Sequence, residues 1–154
     1  MDHKLKLKIA SAYLYSKLDK EIFLEQPEGF VTIGKENHVL PLLKGLYGLK
    51  QSAKLWNDQI KNTLLKTGFI QSKNDQGLNV FEYRDDVGYL IVYVDDIVLA
   101  TNCVRVKTLL ESALEKEYKV TNLGEVKSIL GMNITIEENL LKISQPHYIE
   151  TKVI

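Results

Sequence analysis

The chain's longest apolar stretch is broken by charge at a single point: Tyr89-Leu90-Ile91-Val92-Tyr93-Val94-Asp95-Asp96-Ile97-Val98-Leu99-Ala100. Two short runs rich in Val, Ile, Leu and Tyr read as strands. The acid pair between them reads as a tight hairpin turn, since Asp tolerates turn geometry. Residues 4–10 alternate Lys with apolar side chains, the two-residue period of a strand with one buried face. Elsewhere the period lengthens. Leu55, Trp56, Ile60, Leu64 and Leu65 recur at helical spacing and predict an amphipathic helix over 52–67, ended by Gly68. Val106, Leu109, Leu110 and Leu114 predict a second helix over 104–118, also facing inward.

The remaining segments fill in around these. Residues 11–15 turn toward a short helix, 21–25 read as a strand, and the Gly- and polar-rich 27–38 as a loop. Pro41 confines the strand predicted at 39–43 to an edge or a bulge. A strand ends at Tyr83 and turns through Asp85-Asp86-Val87-Gly88 into the central hairpin. Residues 127–136 read as a strand with a bulge at Gly131, Glu138-Asn139 as a turn, 140–144 as a strand, and the stretch from Gln145 onward as a helix. The pattern predicts an α+β fold: an antiparallel sheet containing 4–10, 89–94 and 97–101, with helices packed on one face.

Composition narrows the setting. With 154 residues the chain can bury a core of its own, and 45% apolar with 26% charged residues is ordinary for a globular domain. One cysteine, Cys103, excludes an internal disulfide and fits a reducing compartment. Nothing in its local sequence would activate it as a nucleophile. No apolar run approaches the ~20 residues of a membrane span, and the opening Lys-Leu alternation is no signal peptide. The expectation is a soluble intracellular protein, cytoplasmic or nuclear, with no membrane partner. Net charge is zero but unevenly spread: seven Lys against two acids over 35–73, then six acids against Arg84 over 74–100. A basic stretch beside an acidic centre suits phosphoryl chemistry on nucleic acid.

Candidate chemistry concentrates in the acid pairs. Asp85-Asp86 has polar flanks and reads as a solvated turn. Asp95-Asp96 lies inside apolar flanks, where two charges are costly unless a cation or donors meet them. They either face water at a turn or form hard oxygen ligands suited to Mg²⁺. The three histidines are isolated, and His38 reads as a surface residue. Gly45-Leu46-Tyr47-Gly48-Leu49-Lys50-Gln51-Ser52 lacks the spacing of a nucleotide-binding phosphate loop. Its glycines still permit close backbone approach, Lys50 can meet phosphate, and Ser52 is placed to cap the helix that follows. Trp56 belongs to an apolar stripe and reads as core rather than a base-stacking platform.

Taken together, Tyr93-Val94-Asp95-Asp96, Glu25-Gln26-Pro27-Glu28-Gly29-Phe30, Gly45 to Ser52, Asn122-Leu123-Gly124-Glu125 and Leu130-Gly131-Met132 resemble the reverse transcriptase of Ty1/copia-type retrotransposons over nearly the whole chain. The resemblance implies a palm-like sheet, RNA-directed DNA polymerase activity on an RNA or DNA template-primer, and Mg²⁺ held by Asp95 and Asp96. It also implies nucleotide or template contacts at Tyr13, Gly48, Lys50, Gln51 and Tyr93. In that family a further catalytic Asp stands five residues before the aromatic of an Ala-aromatic-Leu motif. Ala12-Tyr13-Leu14 matches the motif, and the position five before Tyr13 is Lys8. An ammonium only donates and cannot ligate a cation, so Lys8 is expected to pair with Asp95 or Asp96. Asp2 lies six residues earlier on the same strand face, about 20 Å away, too far to substitute. By the same alignment 1–154 is a single truncated palm-like domain, with fingers and thumb largely absent and an open face that favours self-association. Three readings follow: a degenerate or partial polymerase inactive alone, a polymerase completed by another chain, and a non-catalytic nucleic-acid- or protein-binding module derived from the palm.

Overall fold

A computed structural model describes residues 1–137 and 140–152, so the turn predicted at Glu138-Asn139 lies outside the described residues. The chain forms two compact units, one comprising 1–10 and 64–154 and the other 11–63. In the first unit, strands β1 (His3–Ile9), β4 (Ile70–Gln71), β5 (Leu78–Tyr83), β6 (Asp86–Tyr93), β7 (Asp96–Thr101) and β8 (Val120–Glu125) form one antiparallel sheet in the order β4-β5-β6-β7-β1-β8. The strand at the N-terminus thus enters between the hairpin's second strand and β8, as the expectation that 4–10 neighbours the hairpin requires.

The two-residue period sorts side chains cleanly. Leu5, Leu7 and Ile9 of β1, Ile97, Leu99 and Thr101 of β7, and Gly88 and Leu90 of β6 are buried, and the register sets Leu5 opposite Leu99, which in turn faces Leu90. Helix α2 (Val104–Glu117) covers this face with Val106, Leu110 and Leu114 at four-residue spacing. Its approach is close: a Cβ on Gly88 would lie 3.3 Å from Val106 Cγ1 and 3.4 Å from Phe69 Cζ. Leu109, expected to face inward, is exposed, because it sits about 100° around the helix from Leu110. The turn into α2 is fixed by the Thr101 hydroxyl, which donates to Val87 O (2.7 Å) and accepts from the Cys103 N–H (3.1 Å).

The second unit carries the 3₁₀ turn Ala12–Tyr15, the short pair β2 (Phe23–Glu25) and β3 (Val39–Pro41), and the start of α1 (Ser52–Lys66), which ends in the first unit. Within α1, Trp56, Ile60 and Leu64 are buried as predicted, whereas Leu65 is exposed for the same angular reason as Leu109. Pro41 sits at the end of a two-stranded ladder opposite Phe23, where its missing N–H is tolerated. In the first unit a separate hairpin sheet holds β9 (Ser128–Ile129), β10 (Met132–Glu137) and β11 (Leu140–Ser144), followed by α3 (Pro146–Lys152). Here a bulge was expected at Gly131. Leu130 (φ 51°) and Gly131 (φ 75°) instead form a two-residue turn that pairs Ile129 with Met132, splitting the predicted strand in two.

The close passage at Gly88 gives a test of the packing. Gly88→Val overfills the space under Val106 and Phe69 and lowers unfolding stability by roughly 1–3 kcal/mol, measurable by urea denaturation. An unchanged midpoint would mean that α2 does not press on β6.

Candidate functional site

The acidic hairpin ends on a two-residue loop, Val94-Asp95, with Tyr93 paired to Asp96. The turn is one residue earlier than the sequence suggested: Asp96 belongs to the ladder, and only Asp95 sits in the loop. Positive φ falls on the first loop residue alone (Val94, φ 50°), a hairpin-turn position that normally takes Gly. A β-branched residue there is strained. The loop is held from the side by the Ile9 N–H, which donates to Asp95 O (2.8 Å) and continues the β1–β7 ladder.

The polar-flanked pair gives an internal comparison. Tyr83-Arg84-Asp85-Asp86 makes the same turn: Arg84 has φ 56°, and Tyr83 pairs with Asp86. In both hairpins the second acid is half-buried and ion-paired, Asp86 with Arg105 (3.1 Å) and Asp96 with Lys6 (3.4 Å). Turn geometry therefore does not distinguish the two pairs. Strand parity does. Asp86 and Tyr93 are seven residues apart on β6, an odd number, so the second acids project to opposite faces of the sheet. Asp86 lies on the face covered by α2, beside Arg105 of that helix. Asp96 projects to the open face, among Lys4, Lys6 and Lys8 of β1 and the exposed Tyr89, Ile91 and Tyr93 of β6.

The register places Lys8 directly opposite Asp96, on the same face, as the count back from Tyr13 implies. The expected ion pair is nevertheless made by a different lysine. Lys8 is exposed and has no ion pair among the described residues, while Lys6, diagonal to Asp96 and opposite Val98, brings its ammonium 3.4 Å from Asp96 Oδ1 and donates to Ser128 O at 2.9 Å. The physical reason is reach and shelter. A diagonal cross-strand neighbour lies about 7–8 Å away at Cα, a distance that suits an extended lysine. A register shift in the β1–β8 pairing between Leu5 and Leu7 flanks Lys6, and the Ser128 carbonyl beyond β8 supplies a second oxygen. Side-chain exposure is 15% for Lys6 and 26% for Asp96, so the pair is partly sheltered from solvent.

These residues do not fit the Mg²⁺ implied by the resemblance. The donor set is two carboxylates, Asp95 and Asp96, with an ammonium already on one of them and a second lysine opposite. Among the described residues no three His, Cys, Asp or Glu side chains gather closely enough to hold a metal. At about 4 Å and an effective dielectric of about 20, two unit charges repel by on the order of 4 kcal/mol, and an ammonium and a divalent ion by about twice that.

The other sequence-predicted residues lie in the second unit. Tyr13 stacks obliquely on Tyr47 (centroids 4.5 Å, 45°), which ties the 3₁₀ turn to the loop bearing Gly48, Lys50 and Gln51. Gly45 seats that loop: a Cβ there would come within 2.5 Å of Ser16 Oγ and 2.9 Å of Tyr13 O. Ser52 does not cap the helix as expected; its buried hydroxyl accepts from the Leu46 N–H (3.0 Å) and closes the loop instead. Gly48 takes φ 95° with open space around it, and Lys50 is exposed. Two residues have organising roles that the sequence does not signal. Gln26 donates to Lys35 O (2.6 Å) and His38 O (3.0 Å) and accepts from the Thr32 N–H (2.9 Å), fastening the loop 26–38. Within that loop the backbone N–H groups of Glu36 itself and of Gly34 hold the Glu36 carboxyl below the usual carboxylate range.

The strained turn is testable by itself. Val94→Gly relieves on the order of 1–3 kcal/mol of backbone strain against roughly 0.4–1 kcal/mol of added unfolded-state entropy. It should raise stability by about 1 kcal/mol in chemical denaturation; a loss of stability would show that Val94 packing outweighs its strain.

Residues 2–154 match the family described as Reverse transcriptase (RNA-dependent DNA polymerase). A protein ascribed to transposon Ty5-1 of Saccharomyces cerevisiae is 37% identical over 131 residues, 85% of this chain and 42% of that protein. The retrovirus-related Pol polyprotein from transposon RE1 of Arabidopsis thaliana is 34% identical over 93% of this chain and 10% of its own length, and the Ty1-DR5 Gag-Pol polyprotein of Saccharomyces cerevisiae 27% identical over 96% and 8%. The chain thus spans less than half the length of each of these relatives. No solved structure matches significantly. With the hairpin, its flanking strand and the glycine loop all lying inside one match over nearly its full length, the chain belongs to the reverse transcriptase family, of the kind carried by Ty1/copia-type Pol polyproteins.

Proposed function

We propose that this chain is a palm-derived nucleic-acid-binding domain of a copia-type reverse transcriptase that does not catalyse nucleotide addition alone. The carrying observation is the β1–β7 register, which sets Lys8 opposite Asp96 at the position where the family's motif would supply a carboxylate. Phosphoryl transfer of this class depends on carboxylates gathering cations around the reacting phosphate. Here the facing strand contributes ammonium groups, so the same face attracts phosphate rather than metal. Lys4, Lys6 and Lys8 recur every second residue, about 6.6–6.8 Å apart along β1, and Tyr89 and Tyr93 stand exposed on the same face of β6, one strand beyond β7. Cationic side chains beside aromatic rings are the elements of sequence-tolerant single-strand binding. Asp95, Asp96 and Tyr93 keep their family places without the chemistry. Tyr13, Gly48, Lys50 and Gln51 form the candidate nucleotide- or template-contacting group of the other unit, supported by the Tyr13–Tyr47 contact.

Two measurements test this. Purified chain should not extend a primer on an RNA or DNA template with Mg²⁺ or Mn²⁺; extension that Asp95→Asn abolishes would overturn the non-catalytic reading. In filter binding over a salt series, the chain should retain a single-stranded oligonucleotide with a steep negative slope of log affinity on log salt. Lys4→Ala/Lys8→Ala should lower that slope by about 1–2. No retention at low salt would contradict the binding role.

A further inference from the structure

The Lys6 ammonium is held by two oxygens from two different elements, Asp96 Oδ1 on β7 and Ser128 O on β9, and its side chain is mostly sheltered. Lys4 and Lys8 share its strand and its face but have no ion pair among the described residues. One of three chemically identical side chains is therefore fixed on the acid pair. We infer that Lys6 is a built-in counter-cation: its ammonium takes the place beside Asp96 that a divalent ion would otherwise fill and closes the acid pair to metal. Motif spacing directs attention to Lys8, the residue standing where the family's motif would place a carboxylate. The structure assigns the blocking role to Lys6, whose charge is in contact with Asp96, while the Lys8 charge is free to extend into solvent, where water and salt screen it.

The chemistry follows from what each partner needs. Asp96, half-buried beside apolar neighbours, requires a positive partner whether or not nucleic acid is present. A tethered ammonium supplies one at fixed position, with no dependence on metal concentration. It leaves Asp95, in the turn, as the other carboxylate of the pair, a weaker electrostatic hold on a hard divalent ion than two carboxylates together. Restoring a carboxylate at position 8 alone would leave Lys6 in place, so Lys8→Asp should recover little metal affinity. This inference deepens the proposed reading by explaining why the site is metal-independent, but its test uses no nucleic acid and so stands or falls separately from template binding.

The test is Mn²⁺ binding to the full chain, followed by the electron paramagnetic resonance signal of free Mn²⁺, for the unmodified protein, Lys6→Met and Lys8→Met. Methionine keeps an unbranched apolar stem and removes the charge. Lys6→Met should tighten Mn²⁺ binding by roughly tenfold or more, and Lys8→Met by clearly less. Equal tightening by both, or none by Lys6→Met, would overturn the assignment. Because Lys6→Met could fold poorly, Lys6→Gln is measured beside it, and thermal unfolding adds a second arm. Asp96→Asn should lower Tm by roughly 2–4 °C in the unmodified chain and have little effect in the Lys6→Met or Lys6→Gln background. The same loss in both backgrounds would mean that Lys6 and Asp96 are not coupled, and would also overturn the inference.

Discussion

The pairing of β1 with β7 is the constraint on which the rest of the first unit depends. Six consecutive Cα pairs, from His3 with Thr101 to Lys8 with Asp96, fix which side chains of the N-terminal strand meet the hairpin and on which face. A slip of one residue would turn Leu5, Leu7 and Ile9 outward and the lysines under α2. Burying three charged lysines in place of those apolar side chains is prohibitive, so the register is fixed by the core and the site inherits it. Which side chains stand on the open side is thus decided by packing on the other side.

By the same coupling, a change of side chain at position 8 need not disturb the fold. Position 8 lies on the open, solvent-facing parity of β1, where a charge of either sign can be hydrated. The contrast between the two hairpins makes the same point. Tyr83-Arg84-Asp85-Asp86 and Tyr93-Val94-Asp95-Asp96 share their turn geometry and an ion-paired second acid. They differ in the face to which the odd spacing along β6 delivers that acid. One sits at the rim of a helix-covered face; the other is displayed among lysines and tyrosines.

Much of this was legible in the sequence because periodicity reports burial directly. The alternation of residues 4–10, the apolar runs around Asp95-Asp96 and the stripe through Trp56, Ile60 and Leu64 each lead to the observed element and the observed inward face. The glycine loop and the family assignment followed from motifs that occur together. What the sequence hid was two-body geometry. Periodicity placed Lys6 and Lys8 on one face but could not say which ammonium reaches Asp96, since that depends on a diagonal contact and on Ser128, 122 residues away. Turn placement was off by one because Asp-Asp was the better turn former by propensity, whereas strand pairing drew Asp96 into the ladder and forced Val94 into a strained position. Leu65 and Leu109 are adjacent to true core positions, a distinction finer than an apolar count resolves. The Gln26 clamp depends on side-chain amide contacts with carbonyls up to twelve residues away, for which local sequence carries no signal.

Asp96 is met by the tethered ammonium of Lys6, which is proposed to take the place of a metal there. Crystals of the full chain grown with Mn²⁺ test it most directly, through an anomalous difference map collected above the manganese edge. The expected map shows no manganese peak between Asp95 and Asp96 and the Lys6 Nζ seated on Asp96. A manganese peak ligated by both carboxylates, with Lys6 displaced, would contradict it.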